Sequence, residues 1–170
     1  MGPARTPPRV FFLTTLIAAI VASSAAALSL TVGLPVWAMF VGWIAFYTRG
    51  LTTRSTFENL GCVGLGLAIG LLASLALPRV AAMTGPGVAL PLVVLVVAFQ
   101  VVSLRGLPAM NNLLAYFLGL VTWFAAHLEP TVASWLHLFV ATAIGSAAGW
   151  IAHRLPARMA RGDRPDRHRA

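Results

Sequence analysis

The chain has few residues that could do chemistry. Its 170 residues include four acids, four histidines and one cysteine. Three potential metal ligands, His127, Glu129 and His137, surround one short segment. Imidazole and carboxylate groups bind zinc at defined spacings, and this spacing matches none of them. Histidines beside Trp123 and Trp135 suit a membrane–water interface, where amphipathic rings collect. No metal or cofactor is therefore expected. Glu58 stands three residues after Ser55, the spacing of a capping box that satisfies backbone N–H groups at a helix start. Asp163 and Asp166 lie among arginines near the C-terminus. Cys62 lies in an apolar, glycine-rich run and reads as a small buried residue. Nucleophile elbows, phosphate loops and paired-carboxylate sites are absent from the sequence, so an enzyme is not expected.

The neutral polar residues are the better candidates. Gln100 lies about one turn before the end of an apolar run and is expected to hydrogen-bond a neighbouring helix. Asn111 and Asn112 are expected in the first turn of another run, where they could meet a solute or cap the helix. No acid lies in the middle of an apolar run. Ion-coupled transport usually needs an ionisable group at membrane depth. That pattern points to passage of a small uncharged solute, through a channel or simple transporter. The alternative is a non-catalytic accessory or assembly subunit.

These residues must be positioned by membrane helices. The hydrophobic fraction is 59% and the charged fraction 9%, against about a quarter charged in soluble domains. Mean hydropathy is +0.86. Runs long enough to cross ~30 Å of hydrocarbon recur. Turn and charge signals divide them into six spans: Val10–Leu30, Leu34–Thr48, Phe57–Leu77, Val88–Leu104, Leu107–Ala126 and Pro130–His153. The third is expected to end at Pro78. The fold class is thus all-α, a polytopic membrane protein of six transmembrane helices. Residues 1–9 form a cytoplasmic N-terminus, 10–153 the transmembrane domain, and 154–170 an arginine-rich cytoplasmic tail expected to be disordered.

Arginine placement supports this division. All twelve basic residues are arginine, and with six spans eleven fall on one side, leaving Arg79 on the other. Cytoplasmic loops carry the excess of basic residues, so both termini are expected inside, in a bacterial cytoplasmic membrane. The net charge of +8 is explained by orientation and anionic headgroups rather than by nucleic acid. A signal peptide, with Arg5 and Arg9 before Ala25-Ala26-Ala27, is the weaker reading of the first run, because the apolar stretch continues to Leu30.

One phrase occurs twice. GLPVWAMFVGWIAFY begins at Gly33, and GLPAMNNLLAYFLGLVTWF begins at Gly106. Aligning Ala38 with Ala115 pairs Phe40 with Phe117, Gly42 with Gly119, and Phe46 with Trp123. The copies fall on spans two and five, so each half (about 10–78 and 88–156) holds three spans. Three is odd, so the halves would be inverted, as in many transporters. Phe40, Gly42, Phe117 and Gly119, with Asn111 and Asn112, are the candidate solute path. Small residues let helix backbones approach in lipid. Gly66 and Gly70 in span three and Gly145 and Gly149 in span six are therefore expected packing faces, joining span three to span six or one copy of the chain to another.

The pattern W-x-x-F-x-G-x-x-x-[FY]-x-x-x-G is carried by Trp37, Phe40, Gly42, Phe46 and Gly50. Phe117-Leu118-Gly119 and Trp123-Phe124 agree with it in the second half. On these residues the chain resembles the bacterial inner-membrane proteins grouped as domain of unknown function 1097, over roughly Thr14 to Arg158. The resemblance implies membrane class and location. It assigns no activity and no site residue.

Overall fold

The structure is a computed structural model that describes residues 8–162, with side chains described for 9–156. It contains six helices in the order α1 (Pro8–Thr31), α2 (Val36–Tyr47), α3 (Thr53–Thr84), α4 (Pro86–Leu104), α5 (Leu113–Ala126) and α6 (Val132–Gly162). Four of them, α1, α3, α4 and α6, are long and apolar enough to cross a membrane. The other two are short. At 1.5 Å per residue, the 12 residues of α2 span about 18 Å. The 14 of α5 span about 21 Å.

Helix boundaries depart from the sequence reading in four places. α3 does not stop at Pro78 but runs through it to Thr84. α6 likewise passes through Pro156, so residues 154–162 continue the helix where a disordered tail was expected. The rest of that tail, 163–170, lies outside the described residues. Proline removes one backbone hydrogen bond and crowds the preceding turn, yet both helices continue through it. Pro35 is the N-cap of α2, whereas Pro108 stands in a connecting segment and α5 begins at Leu113. The two Gly-Leu-Pro copies are therefore not equivalent in structure. Finally, the N-cap of α3 is Thr52. Its hydroxyl accepts from Ser55 N–H, and the Ser55 hydroxyl accepts from Thr52 N–H. Ser55 thus closes the capping box, and Glu58 is released for another role.

The core is made by two close helix pairs, α2 on α6 and α3 on α5. Both are glycine crossings. A Cβ on Gly42 would lie 1.8 Å from the Thr142 carbonyl oxygen, and one on Gly145 would lie 1.7 Å from that of Met39. In the other pair, a Cβ on Gly119 would meet the Val63 carbonyl oxygen at 2.2 Å, and one on Gly66 that of Tyr116 at 2.2 Å. One turn further along, Gly149 lies against the Phe46 ring and Gly70 against the Trp123 ring. The expectation that these glycine faces join α3 to α6 is therefore corrected: each faces a short helix. The α3–α6 contact uses Gly64 instead. The Gly64 carbonyl accepts from Trp135 Nε1–H at 3.1 Å, and a Cβ there would strike the Phe139 ring at 2.8 Å. α1 packs on α6 through Ala25 and Ala148, and α4 buries only Ala89 and Val101.

Candidate functional site

The polar side chains gather where α2 ends and α3 and α5 begin. Gly50 turns the chain at φ +85° and Leu51 follows at φ +50°. Positive φ suits glycine because it lacks a Cβ. The turn folds Arg49 back over the first turns of α3, where Asn59 Nδ2 donates to the Arg49 carbonyl at 2.9 Å.

Arg49 is the hub. Its Nη2 donates to Glu58 Oε2 at 2.9 Å and to the Ala109 carbonyl at 2.9 Å. Its Nη1 donates to Asn111 Oδ1. The second Glu58 oxygen accepts from Arg54 Nε at 2.7 Å. One carboxylate thus lies between two guanidiniums, and charge-assisted hydrogen bonds of this kind are the stronger ones. The Glu58 side chain is 19% exposed and that of Arg49 32%, while Arg54 is 83% exposed. The Arg49 pair is partly screened, and the Arg54 pair is a surface contact of small worth.

Beneath this clasp lies Asn112, buried at 7% exposure. It is the N-cap of α5, its Oδ1 accepting from Ala115 N–H at 3.3 Å. Its Nδ2 donates to Asn59 Oδ1 at 2.8 Å and to Thr48 Oγ1 at 2.6 Å. One amide thus caps one helix while tying it to the end of α2 and to α3. Tyr116, one turn into α5, donates from its hydroxyl to the Met110 carbonyl at 2.9 Å. Among the described residues, Ser29 Oγ is the only buried side-chain polar atom without a partner. A fully satisfied network of this type fixes geometry. Its groups are donors and acceptors to one another, and none is arranged as a nucleophile beside a base.

The candidate solute-path residues separate into three sets. Gly42 and Gly119 are sealed in the helix crossings, with no room for even a methyl group. Phe40 and Phe117 are on outer faces, 42% and 40% exposed. Asn111 and Asn112 belong to the clasp, outside the first turn of α5. The six do not meet along one path. Gln100 is exposed beside an apolar groove between α3 and α4. Among the described residues its side chain has no hydrogen-bond partner, contrary to the expected helix–helix bond. His127 is the C-cap of α5 at φ +50°. No three-ligand group of His, Cys, Asp or Glu forms among the described residues.

A family profile described as protein of unknown function, DUF1097, matches residues 15–157. This chain belongs to that family. No curated protein and no solved structure matches it. For this DUF1097 member, the residues that sequence reasoning missed are Thr48, Arg49 and Asn59. Arg49 counted only as an orientation charge. Asn59, a lone amide at the start of an apolar span, carried the usable signal, since a polar residue at such a depth needs a partner.

Proposed function

We propose that this DUF1097 protein is a non-catalytic assembly subunit of a bacterial cytoplasmic membrane, with six spans in two inverted three-helix halves. Both termini face the cytoplasm in this reading. The observation that carries it is the sealing of Gly42 and Gly119 against backbone carbonyls of the opposite half. Residues that would shape a route through the chain instead lock its helices together. The inverted arrangement is supported by the exchange of partners: short helix α2 crosses α6 through Gly42 and Gly145, and short helix α5 crosses α3 through Gly119 and Gly66. Phe46 on Gly149 and Trp123 on Gly70 repeat the correspondence one turn later. The orientation is supported by the meeting of Arg49 with the loop that follows Arg105, of Arg54 with Glu58, and of Arg154 with Thr53, at one end of the bundle.

Passage of a small neutral solute is the second reading. It is favoured by the shortness of α2 and α5, about 18 and 21 Å against ~30 Å of hydrocarbon. Short helices in matching places of two halves mark the site in many transporters. One experiment separates the readings. Proteoliposomes are followed by stopped-flow light scattering with urea and glycerol, and the same protein is used to capture membrane partners after mild crosslinking. Flux equal to empty liposomes together with a stoichiometric crosslinked partner, another chain or a second copy, supports the assembly role. Flux faster than in empty liposomes overturns it in favour of a channel.

A further inference from the structure

A second polar arrangement lies on the same end of the bundle, on the outer face between α3 and α6. An apolar groove of about 310 Å³ runs there, lined by Phe57, Leu60, Ala143 and Ala147, with Thr53 and Trp150 at one end. Thr53 Oγ1 accepts from Trp150 Nε1–H at 3.1 Å and from Arg154 Nη2 at 2.9 Å. The Arg154 guanidinium lies over the Trp150 ring, 5.5 Å from its centroid. A cation over an indole face is attracted by the ring quadrupole, and here both contacts hold the guanidinium at the groove's end. Guanidinium carries five N–H donors in a planar fork that matches phosphate. Among the described residues, Thr53 is the one acceptor Arg154 uses.

We propose that this groove is a binding site for one anionic phospholipid of the phosphatidylglycerol type. Part of an acyl chain lies along Phe57, Leu60 and Ala143, and the headgroup phosphate meets Arg154. Charge selects the occupant. The one acid described at this end, Glu58, is already held between Arg49 and Arg54, so the charge facing a headgroup is positive. Tryptophan at the headgroup level is the common membrane pattern, and a zwitterionic lipid would bring a second cation against Arg154. The inference needs only a membrane-embedded chain and is independent of the assembly role.

The test uses the purified full chain in detergent micelles, titrated with dibrominated phosphatidylglycerol or dibrominated phosphatidylcholine of matched chains, with tryptophan fluorescence quenching as the readout. Phosphatidylglycerol is expected to quench at about five-fold lower concentration, the preference that one arginine near a charged surface supplies. Arg154→Ala should abolish the preference, Arg154→Lys should keep part of it, and Arg105→Ala should leave it intact. Ala143→Phe, which fills the groove, should weaken both lipids. Thr53→Val gives an independent loosening of Arg154. Equal quenching by the two lipids in the wild type, or a preference that survives Arg154→Ala, would overturn the proposal. Glycerol 3-phosphate that displaces the lipid at similar concentration would also overturn it, by making the site one for a free phosphoester.

Discussion

Replacing Gly145 by alanine tests whether the glycine crossings hold this protein together. The added Cβ would sit 1.7 Å from the Met39 carbonyl oxygen, 2.7 Å from its carbon and 2.8 Å from Trp43 N. These are backbone atoms of α2, so no side chain can swing away. Restoring an ordinary contact requires α2 and α6 to separate by roughly 1 Å or more. A gap of that size forfeits about half of each ~0.15 kcal/mol atom-pair attraction. Over the ~40–60 contacts of one large buried side chain, such as Met39, the loss is roughly 3–4.5 kcal/mol. That is at or above the upper end of the ~1–3 kcal/mol typical of overpacking. Gly87→Ala is the control. Nothing lies within 4 Å of a Cβ there, the residue is in the first turn of α4, and Gly→Ala in a helix gains up to ~1 kcal/mol. Equilibrium unfolding in mixed micelles, followed by tryptophan fluorescence, should therefore move in opposite directions for the two variants. Equal stability of Gly145→Ala and wild type would refute the close-packed crossing and with it the packing account of the whole bundle.

Gly119→Ala should behave like Gly145→Ala, since its Cβ would meet Val63 O at 2.2 Å and Leu67 N at 2.8 Å; the same unfolding assay decides. Asn112→Ala removes the α5 cap, worth ~1 kcal/mol, and leaves the buried Asn59 Oδ1 unpaired at ~1–3 kcal/mol. A summed loss near 2–4 kcal/mol is expected, and a loss below 1 kcal/mol would count against the shared-amide geometry. Arg49→Ala should cost less, on the order of 1 kcal/mol, because the pair is partly solvent-screened and Arg54 still reaches Glu58; raising salt should shrink the difference. In a Cys62→Ser background, single cysteines at Arg54 and Arg105 should react with an impermeant thiol reagent only from the cytoplasmic side. Those at Arg79 and Glu129 should react only from the opposite side. A shared sidedness would sink the six-span topology.

The polar clasp and the glycine crossings divide the work of stability. Dispersion across the crossings draws the short helices against the long ones, because lipid supplies no hydrophobic drive between helices. The clasp then fixes register at one end, where Arg49 bridges Glu58, Ala109 and Asn111. The other end of the α2–α6 and α3–α5 pairs has no comparable ion pair among the described residues. Thr48, Asn59 and Asn112 therefore make the two halves chemically unequal even where their glycines correspond.

Sequence by itself determined the helical class, the apolar runs and the uneven distribution of arginine, because hydropathy and charge are summed along the chain and need no partner. It also exposed the repeated phrase and pointed to Gly66, Gly70, Gly145 and Gly149 as close-approach positions, since lack of a Cβ is a property of the residue alone. Only the tertiary structure decided what each glycine meets. Gly66 faces α5 and Gly145 faces α2, a choice made by which backbone lies opposite and invisible to spacing within one helix. It likewise decided that Pro78 and Pro156 stay inside helices, and that Ser55 rather than Glu58 closes the α3 cap. Glu58 was drawn instead to Arg49, which the Gly50 turn carries back over α3. Local pattern specifies which bonds a residue can make; the fold, by bringing distant partners within hydrogen-bond reach, selects the ones it does make.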